Sequence, residues 1–213
     1  MKVEIWSDIM CPFCYIGKRR FEEALKEFPQ SKDVQIQWRS FQLDPNLKSQ
    51  PGKDVYAYLA EIKGQTREWS MKMHEGVAQT AKEAGLEYRF DRAVIANSFD
   101  AHRLIQMAKT KGLDDAAEER LFRAYFTEGR NVADHQTLAE LGADIGLNSQ
   151  DVLAMLASNE FHNQVLADAQ EAAQLGARGV PFFVIDRKYA VYGAQDSSTF
   201  LQALETSFAE QNS

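Results

Sequence analysis

The sequence predicts an α/β chain in which one four-stranded sheet is interrupted by a large all-helical insertion. Three observations lead there. Residues 1–40 read as strand, helix, strand; residues from about 54 to 175 show helical periodicity almost throughout; the C-terminal segment returns to two short strands and a helix. The two ends together supply four strands, so the expected division is 1–45 with 176–213 for the sheet and 54–175 for the inserted helices, with 44–54 as linker.

Each element has its own signal. "KVEIWS" at 2–7 alternates around Val3 and Ile5, a short strand. Phe21, Ala24, Leu25 and Phe28 fall at i, i+3, i+4 and i+7 on one helical face, and Pro29 helps end that helix. "VQIQW" at 34–38 alternates again; the parity changes at Phe41 and Leu43, which predicts a bulge or strand end near Arg39. A strand–helix–strand order implies parallel strands. "DPNLKSQPGKD" at 44–54 is rich in turn formers. Apolar stripes then recur: Ala101, Leu104, Ile105 and Ala108; Leu121, Phe122, Tyr125 and Phe126; Leu138, Leu141 and Ile145; Val152, Leu153 and Leu156; Val165, Ala169, Ala172 and Ala173. The breaks fall near Gly64, Gly85, Gly112, Gly129 and Gly146, and no fixed repeat period links them. "VPFFVID" (180–186) and "YAVYG" (189–193) read as hairpin-joined strands. Phe200, Leu201, Leu204 and Phe208 mark a last helix, capped by Asp196 or Ser197.

Composition narrows the function. The chain has 213 residues, 45% apolar and 26% charged, with a net charge of -7. An acidic chain repels nucleic acid phosphates and anionic lipid, so neither is an expected partner. The basic run "KRR" at 18–20 reads as the solvated face of a helix. "MKVEIWSD" carries Glu4 and Asp8 and no apolar run of signal-peptide length, and no segment reaches the roughly 18 apolar residues of a membrane span. The expected location is the cytoplasm, where a structural disulfide is disfavoured.

Against that background the only two cysteines, Cys11 and Cys14, stand three positions apart with Pro12 and Phe13 between them. A Cys-x-x-Cys pair beside a βαβ unit in a cytosolic chain is a redox signature. The spacing sets one sulfur just before a helix and the other in its first turn. The free N–H groups and partial positive charge of the helix start favour the thiolate of Cys11, and the thiolate is the nucleophile. Cys14 can then attack a mixed disulfide on Cys11. Pro12 suits the first helical turn, where its missing N–H is no loss. Zinc would need about four ligands, and His74, His102, His135 and His162 show no paired spacing, so no metal is expected. A structural disulfide and a pair of inert core thiols are the remaining alternatives. "GVPFFVID" adds a proline, Pro181, opening an apolar strand, a place where a cis X-Pro bond is one solution. Trp69, Met71 and Met73 could line a groove but read more simply as core or rim packing.

"SDIMCPFCYIGKRRFE", "GVPFFVID" and "YAVYGAQ" resemble the DsbA-like thioredoxin-fold oxidoreductases, in the FrnE-type branch, over nearly the whole chain. The resemblance implies a thioredoxin-like sheet and a thiol-disulfide oxidoreductase acting on thiol- or disulfide-containing proteins or small molecules. It makes Cys11 the attacking and Cys14 the resolving cysteine, with Pro181 a cis-proline facing them. Substrate would meet Pro12, Phe13 and the backbone of Val180. No cofactor beyond the redox pair is implied, with glutathione as a possible co-substrate. "ANSFDAHRL" matches a stretch where the family carries Asn and His, here Asn97 and His102, which read as a cap and a structural histidine. Phe13 stands where secreted DsbA proteins usually have His, and the extra C-terminal cysteines of some FrnE-type proteins are missing. Kappa-class glutathione transferases and 2-hydroxychromene-2-carboxylate isomerases share the architecture and form the alternative. They usually carry Ser at the place of Cys11. A binding module that has lost its chemistry is a third reading, which the intact pair disfavours.

Overall fold

A computed structural model describes residues 1–211 and divides the chain into two compact units, 1–43 with the residues from 161 onward, and 44–160. The first unit holds strands β1 (Lys2–Ser7), β2 (Gln35–Ser40), β3 (Phe182–Ile185) and β4 (Tyr189–Tyr192), with helices α1 (Pro12–Glu27), α8 (His162–Gln174) and α9 (Ser197–Gln211). The second holds α2 (Val55–Lys63), α3 (Arg67–Glu83), α4 (Phe99–Lys109), α5 (Asp114–Phe126), α6 (His135–Asp144) and α7 (Ser149–Ala157).

The sheet is four-stranded and mixed, in the order β2-β1-β3-β4. β1 pairs parallel with β2, from Lys2 opposite Gln35 to Ser7 opposite Ser40. It pairs antiparallel with β3, and β3 with β4. Side chains alternate across a strand, and both faces of β1 are covered. On one face Phe21 of α1, Phe200 of α9 and Phe183 of β3 form a three-ring cluster with centroids 4.5 to 5.6 Å apart. On the other, Ala172 of α8 closes on Trp6, Phe182 and Val184. Asp186 and Arg187 turn the β3–β4 hairpin at φ of 49° and 60°, the handedness such turns require. The Asp186 carboxylate ties that turn down, accepting from the Lys2 N–H, the Ser207 hydroxyl and the Gln211 amide at 2.7 Å each.

Two expectations are corrected here, and one is made specific. The helix at 162–174 belongs with the sheet, so the first unit resumes at 161 and not at 176. Its apolar stripe looks like those of the inserted helices, but it packs on β1 and β2, and the Trp6 indole donates to the Asp168 carbonyl at 2.8 Å. β2 has no bulge and ends at Ser40, one residue past Arg39, so the strand end expected there is found. Its register with β1 runs unbroken to Ser40, because the Arg39 side chain is held by Glu4 and Asp168 on the α8 face. The run 18–20 is not a solvated face: Lys18 is buried against Glu22 and Trp38, Arg19 binds Glu22 and stacks on Tyr15, and Arg20 donates to the Ala194 carbonyl.

In the second unit the helices end where the glycines predict: Gly64, Gly85, Gly112, Gly129 and Gly146 all adopt positive φ. At Gly129 a Cβ would also lie 2.6 Å from the Arg92 carbonyl oxygen, so only glycine fits. The 44–54 segment is irregular yet anchored. Gln50 bridges to Ile95, and the Asn97 amide donates to the carbonyls of Pro45 and Leu47 at 3.3 and 2.8 Å. The Asn97 Oδ1 accepts from the Phe99 N–H at the start of α4, a cap-like bond one residue before the cap position, Ser98. His102 is fully buried on α4. Met73 is half-exposed rather than core. Among the described residues no helix is long and apolar enough to cross a membrane.

Candidate active site

β1 ends at Ser7, and the chain turns through Asp8, Ile9 and Met10 into α1. Asp8 shapes that turn. Its carbonyl accepts from the Cys11 N–H at 2.9 Å, and its buried carboxylate accepts from the N–H groups of Met10 (3.2 Å) and Leu43 (2.8 Å). Cys11 is thereby delivered to the N-cap position of α1 in an extended conformation, with Pro12 in the first turn. The Cys14 N–H bonds the Cys11 carbonyl at 3.0 Å, closing one turn. No acidic side chain stands in the first turn of α1 to oppose the positive end of the helix dipole.

Both cysteines are free thiols and both are buried, Cys11 at 4% and Cys14 at 1% exposure. Burial pushes the Cys14 thiol well above the usual cysteine range, and the hydrogen bond and charge of Cys11 push it the same way; bonds from the Asp8 backbone and the Ser7 side chain pull it down. Cys14 is therefore held in its protonated form.

The Cys11 sulfur faces the Val180 carbonyl at 3.5 Å. The Val180–Pro181 bond is cis, as the strand-opening proline suggested, and the Gly193 N–H holds the Pro181 carbonyl at 2.8 Å. One close approach makes this possible. A Cβ on Gly17 would lie 3.0 Å from the Pro181 side chain and 3.5 Å from that of Ala194, so α1 meets the proline loop through a bare backbone. Phe13, between the cysteines, is 44% exposed, an apolar side chain presented beside the pair. Thus Cys11, Cys14, Val180 and Pro181 come together, with Pro12 and Phe13 beside them.

Sequence reasoning missed Ser7, Asp8 and Gly17. A lone glycine inside a helical stripe was a usable signal for Gly17, since such residues usually mark close packing. Also unforeseen is the ion network on the opposite face of the sheet. Glu4, 1% exposed, is bound by Arg39 and Arg187, which in turn reach Asp168 and Glu171. Burial alone would raise the Glu4 carboxyl, but hydrogen bonds and charge from Arg187 and Arg39 outweigh it and hold the pKa at about 2. Among the described residues no group of three or more His, Cys, Asp or Glu is placed to hold a metal ion.

Comparison with known proteins agrees with this geometry. A probable DsbA oxidoreductase from Streptomyces coelicolor is 42% identical, with a TM-score of 0.93 over 99% of this chain and 91% of its own. The Bacillus subtilis protein YwbO is 27% identical over 206 residues, 95% of this chain and 94% of its own. The cytosolic disulfide reductase DsbM of Pseudomonas aeruginosa shares the fold at 20% identity, with a TM-score of 0.70 over 98% of this chain and 99% of its own, and has also been solved with GSH. The family profile of the DSBA-like thioredoxin domain matches residues 2–205, and the chain belongs to that family.

Proposed function

We propose that this protein is a thiol-disulfide oxidoreductase of the FrnE-type branch, with Cys11 the attacking and Cys14 the resolving residue. The observation that carries the reading is the pair itself: two free thiols at the start of α1, with the Cys11 sulfur 3.5 Å from the carbonyl that precedes Pro181. In the reductive direction the Cys11 thiolate attacks one sulfur of a substrate disulfide. A Cys11–substrate disulfide forms and one substrate thiolate leaves. Cys14 then attacks the Cys11 sulfur, the second substrate thiolate leaves, and the pair ends as a disulfide. Two electrons pass from the pair to the substrate, and a thiol must restore the pair.

Pro12, Phe13 and the Val180 backbone form the surface a thiol- or disulfide-containing protein or small molecule would meet. Glutathione is the restoring thiol we favour, a reading supported by the GSH-bound structure of the Pseudomonas protein. The neutral Phe13 withholds the cationic or hydrogen-bonding neighbour that a His there would give the thiolate. A less stabilised thiolate makes a less oxidising pair, so the potential belongs between the DsbA and thioredoxin extremes, roughly -120 to -270 mV. In a cytoplasm poised near or below about -220 mV the pair is largely reduced, and the protein acts as a reductase or isomerase.

Equilibration with defined glutathione mixtures, beside a Phe13→His variant, tests this. The variant should be the more oxidising of the two. An unchanged or lower potential in Phe13→His defeats the assignment of direction, and a pair that never forms a disulfide in any mixture defeats the function.

A further inference from the structure

The two segments that build the site carry no acid. Residues 9–21 run from the turn before Cys11 into α1, and residues 172–185 run from the end of α8 through Pro181 along β3. Neither contains Asp or Glu, in a chain of 213 residues with 31 of them. The acids that flank these segments are occupied. Asp8 accepts from the Met10 and Leu43 N–H groups, and Glu22 holds Lys18 and Arg19. Glu171 holds Arg187, and Asp186 ties down the β3–β4 turn.

The sheet unit has five arginines, and four of them, Arg19, Arg20, Arg39 and Arg187, are each bound by a carboxylate. The fifth is different. Arg178 is exposed and makes no hydrogen bond, ion pair or ring contact to any described residue. It stands two residues before Val180, so at most about 7 Å of backbone separates it from the carbonyl that faces the Cys11 sulfur. A guanidinium offers five N–H donors in a planar fork that fits a carboxylate, and here no acid of the two segments cancels its charge.

We infer that Arg178 is a specificity-determining residue that binds a carboxylate of the thiol restoring the pair, and that this thiol is of the small, carboxylate-bearing class to which glutathione belongs. This rests on the oxidoreductase reading above. Glutathione carries a carboxylate at each end with its sulfur between them, so either direction of approach brings one carboxylate to the Arg178 side of Cys11. In the step concerned, a glutathione thiolate attacks the Cys11 sulfur of the Cys11–Cys14 disulfide. The bond to Cys14 breaks, Cys14 leaves as a thiolate and takes a proton from solvent, and a Cys11–glutathione disulfide forms. A second glutathione thiolate attacks the sulfur of the bound glutathione, glutathione disulfide is released, and Cys11 leaves as a thiolate. Arg178 gives and takes no electrons; it holds the carboxylate while the sulfur reaches Cys11.

The experiment uses the whole protein, oxidised to the Cys11–Cys14 disulfide, and compares its reduction by glutathione and by glutathione diethyl ester, whose carboxylates are capped. Samples are quenched with N-ethylmaleimide and weighed, and each rate is taken relative to that thiol's rate with hydroxyethyl disulfide. The net charge of -7 would by itself favour the ester, so a preference for glutathione reports a local cation. Wild type should prefer glutathione by about fivefold, the upper end for an exposed ion pair, and the preference should fade as salt is raised. Arg178→Gln should abolish the preference by slowing the reaction with glutathione alone, and Arg178→Lys should keep part of it. The inference is overturned if wild type shows no preference, if Arg178→Gln retains it, or if Arg178→Gln slows both thiols alike, as a merely structural loss would. A wild-type pair that neither thiol reduces overturns the oxidoreductase reading itself, whereas one that both reduce equally overturns this inference alone.

Discussion

Replacing Glu4 by Gln probes the ion network that joins α8 and the β3–β4 turn to the sheet. The Glu4 carboxyl is held at about 2 against an ordinary value of 4.5. At about 1.36 kcal/mol per pKa unit, the 2.5-unit difference makes its ionised form worth about 3 kcal/mol to the folded state. The side chain is 1% exposed, so solvent screens this little. The sign follows from the depressed folded pKa. The contribution is fully present above about 4.5 and is lost as pH falls from there towards about 2. Urea unfolding of the wild type and Glu4→Gln from neutral to acid pH gives the measurement. The variant should be less stable by about 3 kcal/mol at pH 7, consistent with the roughly 3–5 kcal/mol typical of breaking a buried pair, and the gap should narrow steadily below about pH 4.5. Equal stability at pH 7, or a gap that does not shrink in acid, refutes the reasoning.

Three further outcomes follow from named contacts. Gly17→Ala gains about 1 kcal/mol in helix propensity but places a methyl 3.0 Å from Pro181, an overlap costing about 1–3 kcal/mol; it should lower the melting temperature and slow attack by Cys11, and a more stable variant of unchanged rate would contradict the close approach. Iodoacetamide near neutral pH should label Cys11 before Cys14, whose thiol is pushed up by burial and by Cys11; peptide mass spectrometry showing Cys14 labelled first would reverse the roles. Asp186→Ala leaves the Lys2 N–H and the Ser207 and Gln211 side chains short of an acceptor and should cost about 1–3 kcal/mol, read from the urea midpoint; no loss would mean the β3–β4 turn holds without its carboxylate.

What could be read from residues alone was whatever leaves a local mark. The Cys11–Cys14 spacing, Pro12 at the helix start, the apolar stripes and the glycines that end the helices all act within a turn or two of chain, and each appears where periodicity places it. What escaped depends on partners distant in sequence. Asp168 sits one turn from Val165 on the inward face of α8, a polar residue where the stripe predicts none, because Arg39 lies beneath it from the other end of the chain. The strand runs one residue past Arg39, where the Ser40 N–H bonds the Asp168 carboxylate at 3.0 Å. α8 was assigned to the wrong unit for this reason, since its own periodicity is indistinguishable from that of the helices before it. Lys18 escaped similarly, because its burial follows from Trp38 on a neighbouring strand and not from its place in a basic run. At the site itself, Cys11, Cys14 and Pro181 were legible, whereas Ser7 and Asp8 carry no motif and become visible only when the turn they build is seen.

The central claim is that Cys11 forms the bond to substrate and Cys14 breaks it, and single-cysteine trapping tests it most directly. Cys14→Ser and Cys11→Ser are each incubated with disulfide-bonded insulin or with glutathione disulfide, quenched in acid and weighed intact. The account predicts that Cys14→Ser accumulates a mixed disulfide that dithiothreitol removes, while Cys11→Ser, left with a single thiol buried to 1% exposure, does not. Equal trapping by the two variants, or greater trapping by Cys11→Ser, would contradict it.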